Sequence, residues 1–582
     1  MKLWRKSASH ITYAAGTEIP LATSDRYRFL NAETVAALHT GRTRLFFVMF
    51  CFTCLFSVLL GALFYQTILK KHIQTRTPSA LNFEYLPVKR ADIVDRTGVV
   101  IATTLPTVDV YVDAREIDDP EKMADDLIQI LPSLKKAELL EKLKSKNSFK
   151  YLKRNLTPTE QFKVNALGYP QLNFVEGERR VYPQGSLFAH ILGITDIDNQ
   201  GIAGVEKAFN ERLTTQKEPL TLSVHTGIQN TVHHELENAI KTFRADAGAA
   251  IVFNVKNGEI LALTSLPDYE PNLPSSFSND RLFNRATVGV YEVGSVMKLF
   301  TVAIGLETKS IVPTDSVDAT KPLAIGKRPI TDFQPQSRML TIPEVLIYSS
   351  NIGTAQVILK VGAEKQKEYL KKCALLDPVQ FELPEKAAPL KPSRWSEVDM
   401  TRISYGYALS ISPLHIAASV SSLVNGGLYN HPTILKDGNK GQIQTRVFSE
   451  KTSQIMRHMM RAVADIGSGK RANIKGYRVG GKTGSAQLTD TRGRYIEGKV
   501  RTSFVGVFPM DDPQYLVLVM LENPQKRKED WYFNSAGWNA APTGGKIIEA
   551  IAPQLGITPK DDEPRPQYMQ RAYDIYHKKD KR

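Results

Sequence analysis

The distribution of apolar and polar residues first separates one short segment from the rest of the chain. Residues 45–65, LFFVMFCFTCLFSVLLGALFY, form an apolar run without a single charge. A helix of this length rises about 32 Å, close to the thickness of the hydrocarbon core of a bilayer. The run is apolar on every helical face and is flanked by basic residues. It therefore predicts a transmembrane helix, and neither a buried helix nor a cleaved signal peptide fits as well.

The segment that follows predicts an α+β domain over residues 66–224. In residues 89–113 apolar and polar positions alternate on both sides of a turn at residues 96–98, which is typical of a β-hairpin. Residues 118–165 are highly charged and are predicted to be helical, and residues 172–224 are predicted to return to short strands and turns. This domain contains no dense cluster of chemically reactive side chains.

The apolar pattern changes near residue 225, where a second domain is predicted to begin and to extend to residue 558. Residues 227–240 place apolar side chains on one helical face. Residues 247–267 form two apolar segments joined at Asn257-Gly258, which is a strong hairpin signal. The other predicted elements are helices over about 295–425, strands at 476–488 and 502–521, and a helix near 543–555. This order predicts helices packed on a mostly antiparallel sheet.

The distribution of charge predicts how the chain is oriented in the membrane, and the cysteine content limits how the domain outside it can be stabilised. The surplus of 15 positive charges by itself fits a nucleic acid, a membrane surface or an acidic polymer equally well. Residues 1–44 carry seven Lys/Arg and residues 66–85 carry three, so the positive-inside rule predicts a cytoplasmic tail at 1–44 and an ectodomain beyond the apolar run. Only Cys373 lies in that ectodomain, which excludes a disulfide framework. The charged residues 559–582 are predicted to form a mobile C-terminal tail.

The first chemical motif is Ser295-Val296-Met297-Lys298, directly after Gly294. A helix that begins at Ser295 would bring Lys298 to the same face, because residues i and i+3 are neighbours on a helix. An unprotonated lysine can then accept the proton of the serine hydroxyl and make it a nucleophile. Alone, the spacing is weak evidence, since an N-cap serine followed by a surface lysine has the same pattern.

The second motif, Ser349-Ser350-Asn351, lies between predicted helices and therefore in a predicted loop. Ser349 could relay protons beside Lys298, and Asn351 could hydrogen-bond a substrate amide. Such residues also occur in ordinary turns, so this motif is uninformative when taken alone.

The third motif, Lys482-Thr483-Gly484-Ser485, is predicted on a strand that lines the cleft. Lys482 would supply positive charge for a substrate carboxylate, and Thr483 and Ser485 would supply hydroxyl donors. Gly484 would let a substrate backbone lie against the strand. The backbone N–H groups of Ser295 and Ser485 are expected to form an oxyanion hole.

Residues 476–483 also match the P-loop pattern G-x-x-x-x-G-K-[ST]. A P-loop requires a helix that opens at its lysine. Here a turn at residues 491–493 and then another strand are predicted, so the P-loop interpretation is disfavoured.

In this combination and order the three motifs resemble those of β-lactamases and penicillin-binding proteins. Over roughly residues 40–555 the chain resembles a class B penicillin-binding protein, and most closely a cell-division (septal) peptidoglycan D,D-transpeptidase. The segments that carry this likeness are RADIVDRTG at 90–98, RVYP at 180–183, TDIDNQGIAGVE at 195–206, YGY at 405–407, SP at 412–413, NGG at 425–427 and TSFVG at 502–506.

Three positions depart from the family pattern. Val293 stands where the family usually has proline, Ser485 where it usually has threonine, and His225 where it often has aspartate. None of these changes removes a catalytic group, and Ser485 keeps its hydroxyl. Without the φ restriction of proline, the segment entering the nucleophile helix could be looser.

The resemblance implies an α+β fold with a single N-terminal transmembrane helix at 45–65. An elongated pedestal (dimerisation-like) domain at 66–224 and a serine β-lactamase-like transpeptidase domain at 225–558 would follow. It implies that Ser295 attacks the D-Ala-D-Ala bond of a stem peptide and that β-lactams acylate the same serine. The residues it makes catalytic are Ser295, Lys298, Ser349, Asn351 and Lys482, and those it assigns to substrate binding are Thr483, Gly484 and Ser485. It implies neither a cofactor nor a metal.

The resemblance also implies a place and partners. The protein is expected in the bacterial inner (cytoplasmic) membrane at the division septum, with its catalytic domain in the periplasm. Expected partners are peptidoglycan stem peptides, β-lactam antibiotics, a membrane-embedded glycosyltransferase and other division-complex proteins, but no nucleic acid. Two alternatives stay open: a β-lactam-binding hydrolase or sensor with the same acylation chemistry, and a protein that acts mainly as a division scaffold.

Overall fold

The computed structural model describes residues 32–64, 89–145, 149–326, 329–490, 494–530, 533–561 and 564–580. The chain divides into two compact units, residues 1–86 and 87–582. Helix α1 (Ala32–Phe64) is the element described in the first unit, and it begins before the predicted start at residue 45. Within the described ranges, no helix meets both the length and the hydrophobicity needed to cross a membrane. Most of the predicted cytoplasmic tail and the segment 66–88 lie outside the described residues.

The second unit opens with a five-stranded sheet. Its strands are β1 (Ile93–Val94), β2 (Val100–Val112), β3 (Lys150–Leu156), β4 (Leu172–Val181) and β5 (Leu220–Thr221). The order is β3-β2-β1-β5, with β4 paired to β2. Its helices are α2 (Pro120–Ile130), α3 (Lys136–Leu143), α4 (Pro158–Ala166), α5 (Ala189–Leu192), α6 (Gly204–Ala208) and α7 (Asn210–Thr215). Helices α2 to α4 pack against the sheet around Val110, Leu127 and Leu152.

The predicted hairpin over residues 89–113 is confirmed by the antiparallel pairing of β1 with β2. The prediction of continuous helix over 118–165 is wrong, because β3 interrupts it. Leu152 and Leu156 in β3 are buried, but the charged residues around them hide this strand in the sequence, and its pairing with β2 stabilises it. Residues 172–224 are also less strand-rich than predicted, since three short helices separate β4 from β5.

A buried carboxylate joins this sheet to the second domain. Oδ1 of Asp95 accepts hydrogen bonds from the backbone N–H groups of Thr97 (2.8 Å) and Val99 (3.0 Å) in the hairpin turn. Oδ2 accepts from the backbone N–H (2.9 Å) and the hydroxyl (2.7 Å) of Thr226. Thr226 is the first residue of α8 (Thr226–Phe243), the amphipathic helix predicted at 227–240. One side chain therefore fixes the hairpin and the start of the catalytic domain together.

A second five-stranded sheet forms the centre of the second domain. Its strands are β6 (Ala247–Asn254), β7 (Ile260–Leu266), β14 (Gly480–Thr489), β15 (Tyr495–Phe508) and β16 (Tyr515–Glu522). All neighbours are antiparallel in the order β14-β15-β16-β6-β7. The short strands between β7 and β14 are β8 (Tyr291–Glu292), β9 (Ser316–Asp318), β10 (Met339–Thr341), β11 (Ser410–Ile411), β12 (Leu428–Tyr429) and β13 (Thr445–Arg446). The predicted antiparallel sheet is confirmed.

Helices cover both faces of this sheet. On one face α8 and the helix α17 (Ala540–Ile551) pack around Phe504 and Val517. On the other face the helices inserted between β7 and β14 pack around Ile251 and Leu518. Strands covered on both faces need apolar residues at consecutive positions, which explains the unbroken apolar run of β6. The helices are α9 (Asn279–Leu282), α10 (Met297–Glu307), α11 (Ile342–Ile347), α12 (Asn351–Val361), α13 (Ala363–Lys372), α14 (Glu397–Ser404), α15 (Pro413–Val424), α16 (Glu450–Asp465) and α17 (Ala540–Ile551).

The prediction of a mobile C-terminal tail is wrong for the part of it that the structure describes. A 3₁₀ turn (Gln567–Met569) leads into helix α18 (Gln570–Asp580). Met569, Ala572 and Tyr573 are buried in the core of the catalytic domain. Their spacing forms an apolar stripe, which the charged residues around it obscure in the sequence.

Candidate active site

The serine of the first motif lies at the tight entrance to a buried helix. Ser295 is half-buried on a 3₁₀ turn (Gly294–Val296), and α10 follows from Met297. The predicted helix start at Ser295 is therefore wrong by two residues, because the first turn is 3₁₀ rather than α. Lys298 lies in the first turn of α10 with its side chain fully buried.

Backbone packing holds this entrance turn against strand β14. Gly294 has φ +57°, and a Cβ atom on it would lie only 2.5 Å from the carbonyl oxygen of Ser485. A Cβ atom on Gly484 would lie 2.4 Å from the carbonyl oxygen of Val293. Side chains at either position would collide with backbone, so both glycines are needed for the nucleophile turn to meet the strand. The expected contact of Gly484 with a substrate backbone stays a prediction.

The second motif places a hydroxyl between the two motif lysines. Ser349 lies in the turn between α11 and α12 with φ +58°, a conformation uncommon for a residue other than glycine. Its Oγ lies 3.3 Å from Nζ of Lys298 and accepts a hydrogen bond of 3.0 Å from Nζ of Lys482. Lys298 also donates to the carbonyl oxygen of Ser349. Three motifs that are far apart in sequence thus meet at one side chain.

Both lysines are completely buried, which sets their protonation. Burial lowers the pKa of Lys482 to about 7, because an ammonium loses its hydration in the protein interior. Burial also holds the pKa of Lys298 well below its usual range, and the nearby charge of Lys482 lowers it further. Both amines therefore lose their protons at lower pH than an ordinary lysine, and a neutral Lys298 can accept a proton from a neighbouring hydroxyl.

The third motif lies on a strand, β14, as predicted, and this strand is at one edge of the sheet. Thr483 Oγ1 is 2.6 Å from Oγ of Ser468, and Oγ of Ser485 accepts a hydrogen bond of 3.1 Å from the backbone N–H of Ala536. Strand β14 continues through Lys482 and Thr483, so no helix opens there and the P-loop interpretation is wrong. The predicted turn at residues 491–493 lies outside the described residues.

The asparagine of the second motif is oriented by a neighbouring loop. Asn351 is the first residue of α12, and its Nδ2 donates to the carbonyl oxygen of Thr331 at 2.8 Å. The next residue of that loop, Asp332, accepts from Oγ of Ser350 at 2.7 Å and from the backbone N–H of Ile352 at 3.0 Å.

Sequence reasoning missed Asp332, Ser468 and Ala536. None of them belongs to a recognisable motif, and only the folded chain brings them to the site. Among the residues the structure describes, no group of three His, Cys, Asp or Glu side chains is placed to hold a metal ion. The expectation that the site uses no metal and no cofactor stays a prediction.

Comparisons with known proteins agree with this architecture. The family described as "Penicillin binding protein transpeptidase domain" matches residues 248–548, and the "Penicillin-binding Protein dimerisation domain" matches residues 85–236. A crystal structure of penicillin-binding protein 3 from Mycobacterium tuberculosis, complexed with aztreonam, has a TM-score of 0.63 and 23% identity over 81% of this chain and 98% of that one. Fold and site together define a class, and the chain belongs to the penicillin-binding proteins with a transpeptidase domain.

Relatives narrow this class to the division type. The chain is 36% identical to the probable peptidoglycan D,D-transpeptidase FtsI of Caulobacter vibrioides, over 81% of this chain and 82% of the relative. It is 30% identical to the peptidoglycan D,D-transpeptidase FtsI of Escherichia coli K12, over 82% of this chain and 86% of the relative. The chain is thus a class B penicillin-binding protein of the FtsI type. The predicted family, α+β transpeptidase fold and enzyme class are confirmed.

Proposed function

We propose that this protein cross-links peptidoglycan stem peptides at the division septum through an acyl-enzyme on Ser295. One observation carries the proposal: the hydroxyl of Ser349 lies between the amines of Lys298 and Lys482, and Lys298 follows Ser295 by three positions. This arrangement gives a serine nucleophile a buried lysine that can act as its base and a second buried amine close by. The FtsI relatives, which are peptidoglycan D,D-transpeptidases by name, support the same reaction.

In the acylation step, neutral Lys298 accepts the proton of the Ser295 hydroxyl. The Ser295 oxygen then attacks the carbonyl carbon of the penultimate D-Ala of the stem peptide. The carbon–nitrogen bond to the terminal D-Ala breaks, and the leaving amine takes up a proton relayed from Lys298 through Ser349. The products are a serine ester and free D-Ala, and Lys298 is again neutral.

In the second step an amine of a neighbouring stem peptide attacks the ester. A new amide bond forms, the bond to the Ser295 oxygen breaks, and the proton of the attacking amine returns to that oxygen through Lys298. The step consumes one amine for each cross-link and restores the enzyme. Attack by water in place of the amine would make the protein a hydrolase, which was the first alternative.

Strand β14 supplies the binding groups for this reaction. The hydroxyl of Ser485 accepts from Ala536, so its own proton is available for the terminal carboxylate of the substrate. We assign Lys482, Thr483 and Ser485 to that carboxylate and Asn351 to a substrate amide. The backbone N–H groups of Ser295 and Ser485 would stabilise the oxyanion as charge develops on the carbonyl oxygen. A β-lactam carries a carboxylate and a reactive amide and would acylate Ser295 in the same way; the relative solved with aztreonam supports this expectation.

The proposal is tested by labelling the purified full-length chain with a fluorescent penicillin. We expect one covalent adduct, on Ser295, and none on the Ser295→Ala variant. Ser275→Ala is a matched control, because Ser275 is an exposed serine outside the site and its loss should leave labelling unchanged. Equal labelling of Ser295→Ala would refute the assignment. Rapid release of the label by water would instead favour a β-lactam hydrolase over a transpeptidase.

The membrane topology belongs to the same proposal. The charge-free run at 45–65 and the excess of basic residues before it support a single span with the catalytic domain in the periplasm. A pedestal at 66–224 would then hold the transpeptidase domain, 225–558, away from the membrane, and residues 559–582 would follow it. A reporter enzyme active only in the periplasm, fused after residue 580, should be active in cells. An inactive fusion protein present at normal abundance would contradict this topology and indicate that the catalytic domain lies in the cytoplasm.

The partners expected from the family are a membrane-embedded glycosyltransferase and other division-complex proteins. The pedestal, which carries none of the site residues, is the surface we assign to them. An experiment in cells whose only copy of the protein is the Ser295→Ala variant separates catalysis from the recruitment of division proteins. We expect them to fail in division while the variant still reaches the septum. Normal division would make the protein mainly a scaffold, which was the second alternative.

A further inference from the structure

A loop outside the three motifs is hydrogen-bonded to the residues that directly follow Ser349. The loop between β9 and β10 carries Asp332, whose Oδ2 accepts from the hydroxyl of Ser350 at 2.7 Å and whose Oδ1 accepts from the backbone N–H of Ile352 at 3.0 Å. The residue before it, Thr331, accepts from Asn351 through its carbonyl oxygen at 2.8 Å. Two adjacent loop residues therefore bind three consecutive residues of the turn.

These hydrogen bonds act on the Ser349 turn, whose backbone is strained and whose hydroxyl must be accurately placed. Ser349 has φ +58°, which costs free energy and persists only where its surroundings enforce it. Ser350 also caps α12, because its Oγ accepts from the backbone N–H of Gly353 at 2.9 Å. Asp332 therefore fixes both the residue after Ser349 and the first turn of the helix that follows. Loosening either would move the Ser349 hydroxyl away from the two amines.

Asp332 also places a negative charge where it acts on the buried amine of Lys298. The charged side chains that act on Lys298 are Lys482, from β14, and Asp332, from the β9–β10 loop. After burial, the charge of Lys482 lowers the pKa of Lys298 and the charge of Asp332 raises it. Charge-assisted hydrogen bonds at a helix N-terminus are also stronger than neutral ones, which secures the carboxylate at this position.

We propose that Asp332 is a positioning residue for the acylation of Ser295, which holds the Ser349 hydroxyl between Lys298 and Lys482 and places a negative charge that acts on the Lys298 amine. This inference rests on the proposed function, because it assumes that Ser295 is acylated and that Lys298 is its base. It adds a residue outside the three motifs and assigns it two separable effects, one geometric and one electrostatic.

The test is the second-order rate constant for acylation by penicillin, measured on the full-length chain from pH 5 to 10. Asp332→Asn keeps the shape and one acceptor oxygen but removes the charge. We expect its maximal rate to fall about tenfold, the typical effect of losing a charge-assisted hydrogen bond. Without the negative charge the pKa of Lys298 falls, so Lys298 stays neutral to lower pH and the acidic midpoint of the profile should move down.

A second variant separates the two effects. Ser350→Ala removes the hydrogen bond to Asp332 and the cap of α12 but keeps the carboxylate. We expect a slower rate with the acidic midpoint unmoved. Asp318→Asn is the matched control, because Asp318 ends β9 directly before the same loop and its carboxylate accepts hydrogen bonds from Thr320 in its own turn. Its profile should match that of the parent chain.

Two results would overturn the inference. One is an Asp332→Asn rate within twofold of the parent at every pH. The other is a slower rate with an unmoved midpoint, which would leave Asp332 a purely structural residue. If Asp332→Asn does not fold, as shown by its thermal unfolding curve, a Ser350→Ala rate equal to that of the parent has the same meaning. A mass spectrum of the parent adduct keeps the two proposals apart, since absence of label on Ser295 would refute the proposed function instead.

Discussion

Nζ of Lys482 donates a hydrogen bond of 3.0 Å to Oγ of Ser349, although 133 positions separate the two residues in sequence. Lys298 approaches the same hydroxyl from α10 at 3.3 Å. One hydroxyl thus connects the nucleophile helix, the turn between α11 and α12, and the edge strand of the sheet. The chemistry of the site depends on the charge of the two amines, and that charge depends on their burial.

Replacement of Lys298 should abolish most of the acylation. Lys298→Met keeps the length of the side chain and removes the base, so we expect the acylation rate to fall by about 10²- to 10⁴-fold. In the parent chain only the neutral amine accepts a proton. Activity should therefore be present above the pKa of Lys298 and be lost as pH falls through it, with a midpoint well below that of an ordinary lysine. Stopped-flow measurements of acylation from pH 5 to 10 give both the loss of rate in Lys298→Met and the pH midpoint of the parent chain.

Lys367→Met is the control for this substitution, since Lys367 is exposed on α13. Its acylation profile should equal that of the parent. A Lys298→Met variant that acylates within tenfold of the parent rate would show that another group accepts the proton of Ser295.

Gly294 should not tolerate any side chain. In Gly294→Ala the Cβ atom would meet the carbonyl oxygen of Ser485 at 2.5 Å, and φ is +57°. We expect a loss of about 1–3 kcal/mol in the free energy of unfolding from backbone strain, and slower acylation because the nucleophile turn must move from β14. Denaturant unfolding and the penicillin acylation rate measure the two effects.

Gly426→Ala separates strain from collision. Gly426 also has a positive φ, +87°, but a Cβ atom there meets nothing within 4 Å. This control should lose stability and keep the parent acylation rate. If both variants acylate at the parent rate, contact between the turn and β14 does not position Ser295.

Much of the fold could be predicted because local patterns encode it, whereas the site residues were assigned from the order of three short motifs and from the family that these motifs resemble. The alternation and turn residues around Asn257-Gly258 already indicated the hairpin of β6 and β7. The i, i+3 spacing of Ser295 and Lys298 predicted a shared helical face, but Ser295 lies on a 3₁₀ turn ahead of α10. The elements that could not be predicted depend on tertiary contacts rather than on local patterns. Strand β3 depends on its pairing with β2, and its charged sequence does not indicate a strand by itself.

The supporting residues of the site could not be predicted for a related reason. Asp332 and Ser468 act through neighbours that are 18 and 15 positions away, across loops whose path only tertiary packing decides. The need for glycine at positions 294 and 484 likewise arises from backbone contact between distant segments. Spacing in the sequence can show which residues share a face of one element, but not which loops meet.

Asp95 should make the stability of the contact between the hairpin turn and helix α8 sensitive to acid. Burial raises the pKa of its carboxyl, but hydrogen bonds from Thr97 and Thr226 outweigh burial and lower that pKa from 3.8 to about 2. A carboxyl with a depressed pKa stabilises the fold above pH 4, and this contribution is lost as pH falls from about 4 to 2. We expect Asp95→Asn to lower the free energy of unfolding at pH 7 by about 1–2 kcal/mol, after allowance for solvent screening.

The measurement is denaturant unfolding at pH 7 and at pH 3. The difference between parent and Asp95→Asn should shrink at the lower pH, because the parent carboxyl begins to be protonated there. Asp118→Asn, at an exposed position in the same domain, should match the parent at both values. A difference that grows as pH falls would contradict the predicted direction.

Helix α18 should contribute to stability without taking part in catalysis. Tyr573 is 4% exposed, and the Arg565 guanidinium lies 3.9 Å from its ring centroid. Nearby, His458 of α16 bonds the hydroxyl of Tyr568 at 2.8 Å. Removal of a buried aromatic ring leaves a cavity, so Tyr573→Ala should lower the free energy of unfolding by about 3 kcal/mol. Denaturant unfolding of the full-length chain measures this loss, and Lys578→Ala, at an exposed position on the same helix, should have no effect.

The acylation rate distinguishes a stabilising helix from a catalytic one. The ring of Tyr573 packs against Arg565, which lies outside the three motifs, so penicillin should acylate folded Tyr573→Ala at a rate within twofold of the parent. Unchanged stability would mean that α18 does not pack on the core in solution and would restore the sequence-based prediction of a mobile tail. A rate lowered more than tenfold in fully folded protein would instead mean that α18 acts on the site through α16, which leads to Ser468 and its contact with Thr483.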